Sequence, residues 1–172
     1  MPMEADALRQ EILELLPRLR RYAYALTGAR ADADDLLQAT VERLLQRGAP
    51  ADADIQRWAF RICKNIWIDE IRARAVRTTA ASTGKAGGET QVDGERVVMN
   101  RIAVAEVNEA MAALPDEQRA AISLVALEGM SYAEAAEVLG TPIGTIMSRI
   151  ARARKALGEK LSGHPDLIGA QI

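Results

Sequence analysis

The chain predicts an all-α fold built as two small helical domains joined by a linker. Three observations carry this. Aromatic residues make up only 3% of a chain that is 49% hydrophobic, with alanine and leucine abundant. No alternating run of β-branched residues reads as a strand. Apolar residues instead recur at three- and four-residue steps in blocks of helical length, and one long stretch between the blocks lacks such a period.

In the first domain, residues 8–26 carry Leu8, Ile12, Leu15, Leu16, Leu19 and Tyr22 at helical spacing, with Pro17 predicting a kink or break and Thr27-Gly28 closing the helix. Residues 32–47 form the second helix, with Leu37, Val41, Leu44 and Leu45 inward and Asp35, Gln38, Glu42 and Gln46 outward. Gly48-Ala49-Pro50 ends it, and Asp54 is placed to cap a third helix over residues 55–77. That helix sets Ile55, Trp58, Ala59, Ile62 and Ile66 on one side and a basic stripe of Arg57, Arg61, Lys64, Asn65 and Arg72 on another. Phe60 and Trp67 fall outside both, which implies a helix sandwiched between two layers or an aromatic left for a partner.

Residues 78–100 are rich in Thr, Gly, Ala and charge and read as a linker, since a structureless connection of that length is uncommon inside one compact domain. The expected organisation is therefore a first domain over 1–77, a linker over 78–100, a second domain over 101–162 and a tail over 163–172. The second domain opens on Val104, Val107, Met111 and Leu114, turns at Pro115, and restarts with Asp116 and Glu117 in a helix reaching Leu127. Ser131 and Glu134 then form a capping box, Gly140 ends a short helix, and Thr141 with Pro142 is expected to cap and start the last one. In that helix Ile143, Ile146, Ile150, Ala153, Leu157 and Leu161 share an inner face. Thr145, Ser148, Arg149, Arg152 and Lys155 fall opposite, where they reach phosphates and base edges if the pair of helices enters a major groove; a merely solvated face is the other reading of the same residues.

The formal net charge of −2 argues against non-specific coating of DNA, but the charge is segregated. Cations cluster on the third and last helices, whereas acids gather at Asp32, Asp34, Asp35 and Glu42 and between Glu89 and Glu137. Catalysis has no support: His164 is the single histidine and Cys63 the single cysteine, so neither a nucleophilic triad, a zinc set nor an internal disulfide is expected, and no cofactor or metal. No apolar stretch approaches the ~20 residues of a membrane span, and the first residues show no signal-peptide pattern, which predicts a cytoplasmic protein without membrane insertion.

Three segments resemble the extracytoplasmic-function (ECF) sigma factors of bacterial RNA polymerase. They are DADDLLQATVERLL from Asp32, WAFRICKNIWIDEIRAR from Trp58, and LPDEQRAAISLVALEGMSYAEAAEVLGTPIGTIMSRIARARKAL from Leu114. Trp58, Arg61, Ile62, Asn65, Asp69 and Arg72 stand at the family's spacing, whereas Ala39 occupies a position where the family usually has an acid. The resemblance implies a sigma region 2 domain, a region 4 helix-turn-helix domain, and transcription initiation with core RNA polymerase and promoter DNA as partners, under an anti-sigma factor. It assigns Asp35, Gln38 and Glu42 to the polymerase, Arg57, Arg61, Lys64 and Asn65 to the minus-ten element, and Thr145, Ser148, Arg149, Arg152 and Lys155 to the minus-thirty-five element. The linker is then expected to thread the polymerase cleft. A plain helix-turn-helix regulator and a sigma-like decoy that sequesters an anti-sigma factor are the alternatives; the first has no need of the two first-domain motifs, and the second should have lost its DNA-facing cations.

Overall fold

The computed structural model describes residues 2–80 and 95–163, and all its regular structure is helical. Helix α1 spans Pro2–Thr27, α2 Arg30–Arg47, α3 Ile55–Ala80, α4 Glu95–Ala112, α5 Asp116–Ile122, α6 Tyr132–Leu139 and α7 Ile143–Lys160; a π-helical turn, Ser123–Leu127, prolongs α5. Helices α1, α2 and α3 pack on one another, and α7 packs on both α5 and α6. The two groups also touch: α3 lies on α6, and α1 meets α4, α5 and the π turn.

The core follows from the apolar spacing. Leu19, Tyr22 and Leu26 of α1, Leu36 and Leu44 of α2, and Phe60 and Cys63 of α3 are fully enclosed. Each large side chain removed from water contributes about 1.5–3 kcal/mol. Tyr22 and Phe60 meet edge to face with ring centroids 5.2 Å apart. Thr40, buried among them, donates its hydroxyl to the Leu36 carbonyl at 2.7 Å, so no polar atom of it is left unpaired. This cluster runs without interruption into Leu124, Ala135, Val138 and Ile146 of the second group, while a smaller one ties α4 to α5 and α7 through Ala110, Leu114, Ile122 and Leu157.

Several expectations need correction. α1 does not break at Pro17 but continues through it as one helical span. The hydrogen bond that proline cannot donate would have gone to Leu13, and both residues are exposed, so the free carbonyl faces water. Leu45 is 50% exposed because the buried arc of α2 is centred on Ala33, Leu36, Thr40 and Leu44 and turns Leu45 away. Of the two outcomes expected for Phe60 and Trp67 the sandwiched helix is the one found: both are buried, with α3 between α1–α2 and the second group. α3 continues to Ala80 and α4 begins at Glu95, so helix covers both ends of the expected linker; residues 81–94, with the threading role, lie outside the described residues, as does the tail beyond 163.

At α7, Ile143 is 46% exposed instead of buried, and Thr141 gives no side-chain cap, its hydroxyl lying buried without a partner. The α6 capping box forms as read: Ser131 Oγ accepts from the Glu134 N–H and the Glu134 carboxylate from the Ser131 N–H. Gly140 closes α6 at φ +62°, a left-handed position that a side chain would strain. The π turn had no sequence signal. Its bond from the Glu128 N–H to the Ser123 carbonyl fits one residue more into the turn, and it leaves Leu127 exposed and Glu128 buried against α1.

Candidate polymerase and nucleic-acid interfaces

The exposed face of α2 carries Asp35, Gln38 and Glu42 together, with Gln38 Nε2 donating to Glu42 Oε1 at 3.3 Å. Leu45 joins them as an apolar edge that sequence reasoning had placed inside. Ala39 is half-buried and packs against the core, so the atypical position stands beside this face and not at its centre.

The stripe on α3 is less free than its sequence implies. Arg57 places Nη1 2.7 Å from Glu137 Oε2 and Nη2 3.2 Å from Glu134 Oε1, both on α6. Its pKa is raised, first by the hydrogen bond to Glu134 and then by the charge of Glu137. Arg61 caps the same helix from its other end: Nε donates to the Val138 carbonyl at 3.3 Å and Nη2 to that of Glu137. A guanidinium at a helix C-terminus meets the negative end of the dipole. Burial pushes the Lys64 ammonium down, and the charges of Arg61, Arg149 and Arg72 push it further. Asn65 is exposed. A groove of about 1090 Å³ separates the start of α1 from the loop after α2, with Leu8, Glu11, Pro50 and Ile55 on its walls.

On α7, Ser148, Arg152 and Lys155 are exposed, while Thr145 and Arg149 are half-buried. Arg149 Nη2 pairs with Glu117 Oε2 at 2.8 Å, which fixes the helix against α5 and leaves that side chain only 17% exposed. The outermost arc of the helix is instead Gly144, Met147, Ser148, Ala151, Arg154 and Lys155, with Met147 51% exposed. Sequence reasoning missed Met147 and Arg154; the three- and four-residue steps from Gly144 to Arg154 were the available signal. It also missed Glu128, whose wholly enclosed carboxylate accepts Arg18 Nε and Arg21 Nε at 2.9 Å each. Nothing in the sequence marks that contact, which joins residues more than a hundred apart. Among the described residues no cluster of His, Cys, Asp or Glu could hold a metal ion, and no helix is long and apolar enough to cross a membrane.

Residues 105–157 match the family model described as sigma-70, region 4, and residues 12–64 the model described as the sigma2 domain of PhyR. The chain is 34% identical over 163 residues to the ECF RNA polymerase sigma factor EcfG of Rhodopseudomonas palustris, covering 94% of this chain and 88% of that one. The chain belongs to the ECF RNA polymerase sigma factors. This sigma factor is also 40% identical over 129 residues to SigC of Mycobacterium tuberculosis, covering 73% of its own length and 68% of the relative's. Among solved structures it resembles the sigma factor RpoE of Bartonella quintana, crystallised with the anti-sigma factor NepR, at a TM-score of 0.77 and 29% identity over 91% of this chain and 97% of that one. CnrH in complex with the cytosolic domain of CnrY follows at a TM-score of 0.69 and 25% identity, covering 92% and 90%. Residues 12–64, within α1–α3, are thus of the region 2 type and residues 105–157, within α4–α7, of the region 4 type, and the family is not an enzyme family.

Proposed function

We propose that the three surfaces divide the work of initiation. The α2 face of Asp35, Gln38 and Glu42, with Leu45 at its edge, binds the clamp of core polymerase. Arg57, Arg61, Lys64 and Asn65 of α3, with residues 52–54 of the preceding loop beside Arg57 and Arg61, hold the non-template strand of the minus-ten element: cations track the backbone, and the loop with Asn65 receives an extruded base. The outer arc of α7 enters the major groove of the minus-thirty-five element, with Ser148, Arg152 and Lys155 at its centre and flank and Thr145 and Arg149 behind them.

The observation that carries this reading is the α2 face itself, an exposed acid–amide patch with an apolar neighbour and only a weak internal hydrogen bond. A plain helix-turn-helix regulator has no use for it, and a decoy has no use for the cations that α3 and α7 retain. The protein acts in the cytoplasm, and the relatives solved with NepR and CnrY support an anti-sigma factor as a further partner. Charge reversal at Asp35 and Glu42 together tests the assignment. Core-polymerase affinity is expected to fall while the far-ultraviolet circular dichroism stays unchanged, and unaltered affinity removes the assignment.

A further inference from the structure

Resting on that reading of α7, we propose that Glu117 is a positioning residue that keeps Arg149 from the backbone of the upstream element, so that the recognition helix grips duplex phosphates less strongly than its cations would allow. The pair is lopsided. Arg149 Nη2 lies 2.8 Å from Glu117 Oε2, yet the arginine side chain is 17% exposed and the glutamate side chain 68%. Where the sequence of α7 places a guanidinium, the surface therefore presents an acid. Arg152 and Lys155, further along the same helix, are exposed and make no ion pair among the described residues.

Helical geometry fixes what Arg149 would touch if released. At about 100° per residue it stands about 40° from the buried Ala153 and about 60°, on the other side, from the exposed Arg152. It is about 100° from Ser148 in the outer arc. The middle of a helix face in a major groove meets base edges and its margins meet the phosphate walls, so Arg149 belongs to the margin and its partner there is phosphate.

Glu117 opposes that contact twice. Its carboxylate takes the guanidinium that phosphate oxygens would otherwise engage. Once the arginine turned away, the same carboxylate would stand unpaired beside a duplex that carries one negative charge per ~1.7 Å. The acid cannot drift out of the way, because Leu114 and Ile122, on either side of it in the chain, are buried with Ala153 and Leu157 of α7.

The test measures binding of the holoenzyme, core polymerase with the full chain, to a duplex library randomised at the upstream element over a range of salt concentrations. Glu117→Gln folds, because it changes a largely exposed side chain. It is expected to bind every library member on the order of fivefold more tightly with no change in preferred sequence, and to steepen the slope of log affinity against log salt by about one, the mark of one added phosphate contact. Adding Arg149→Ala to Glu117→Gln is expected to return the slope to that of the parent. A purely structural role for Glu117 would lower the melting temperature and leave the slope alone.

Weaker binding by Glu117→Gln overturns the proposal, because the carboxylate would then be presenting Arg149 to the DNA. Unchanged affinity with an unchanged slope overturns it as well, as does a steeper slope that survives in the double variant. A new guanine preference in Glu117→Gln would make Arg149 a base reader and also contradict it. A parent holoenzyme without any upstream preference sinks the reading of α7 itself, whereas a parent that selects a sequence while Glu117→Gln behaves identically sinks only the role of Glu117.

Discussion

Arg21 and Glu128 meet across 107 residues of sequence as a two-bonded fork, Nε on Oε1 at 2.9 Å and Nη2 on Oε2 at 3.1 Å. Arg18 closes the other side of the same carboxylate and lies with its guanidinium carbon 5.6 Å from the centroid of the Phe60 ring. The carboxylate is wholly enclosed, whereas the side chains of Arg18 and Arg21 are 31% and 52% exposed. That asymmetry sets the consequences of breaking the fork from either end.

Removing both arginines leaves a buried charge without compensation, which costs about 3–5 kcal/mol where the structure stays closed. Removing the carboxylate by Glu128→Ala frees arginines that water reaches, and the expected loss is smaller, about 1–3 kcal/mol. Urea unfolding of Arg18→Ala/Arg21→Ala against Glu128→Ala checks the order. Losses below about 1 kcal/mol in both variants would show that the fork contributes no more than a surface ion pair.

Cys63 supplies an independent measure of packing. It is fully enclosed, and burial pushes its thiol up to about 12, only partly offset by a hydrogen bond with Thr40. The thiol is therefore protonated throughout the physiological range and unable to attack a disulfide reagent. The folded protein is expected to leave Ellman's reagent unreacted at pH 8 and to release thionitrobenzoate promptly in denaturant. Prompt reaction of the folded chain would mean that the α1–α2–α3 core opens readily.

The capping box of α6 gives a pH dependence with a definite sign. Glu134 is held below its ordinary value of 4.5, chiefly by the Ser131 backbone N–H and next by the Arg57 hydrogen bond. A depressed folded value means that its contribution is complete above 4.5 and disappears as pH falls through the lower folded value. The melting temperature of the parent is expected to exceed that of Glu134→Ala at pH 7, with the gap shrinking below pH 4.5. A gap that stays constant to pH 3 would place the effect of the substitution in helix propensity.

On α7, Met147 and Ala151 form an apolar strip beside Arg154 and Lys155. In a major groove such a strip suits thymine methyl groups, with cations on the adjoining phosphates. Met147→Ala is expected to alter the preferred upstream base by about 1 kcal/mol, while Arg152→Ala or Lys155→Ala weakens all upstream sequences and lowers the salt dependence. Binding of a randomised upstream library by the holoenzyme separates the two. A Met147→Ala variant with the parent's preference would mean that the strip reads no base.

Helix by helix, the fold was legible where apolar spacing and capping chemistry agreed. The Ser131–Glu134 box, Gly140, Asp54 at the start of α3 and Gly48 at the end of α2 all stand where side-chain chemistry places them. Pro17 does not break α1, since the carbonyl it leaves without a donor belongs to the exposed Leu13, where water can replace the lost bond. Leu45 and Ile143 misled because an apolar side chain was assigned inward by type, whereas Leu45 lies about 80° round the helix from the nearest buried position, Leu37, and Ile143 is the exposed first residue of α7. The junction was illegible for a different reason: Glu128 and Glu137 read as ordinary surface acids, and only packing of α3 on α6 and α1 on the π turn gives them partners. The exposed members of the candidate sites, Asp35, Gln38, Glu42, Asn65, Ser148, Arg152 and Lys155, lie on the faces the periodicity gave them; Arg57, Arg61 and Arg149 are engaged by residues that no local pattern connects to them.

Promoter-specific initiation by this chain is tested by run-off transcription with purified core polymerase on genomic promoter fragments, read together with permanganate reactivity of thymines in the minus-ten region. Discrete transcripts that require this chain are expected, with melted thymines on the same fragments, and both are lost in an Arg61→Ala/Lys64→Ala/Asn65→Ala variant that still forms the closed complex. Tight operator binding by the isolated chain, with no stimulation of core polymerase on any fragment, would contradict this expectation.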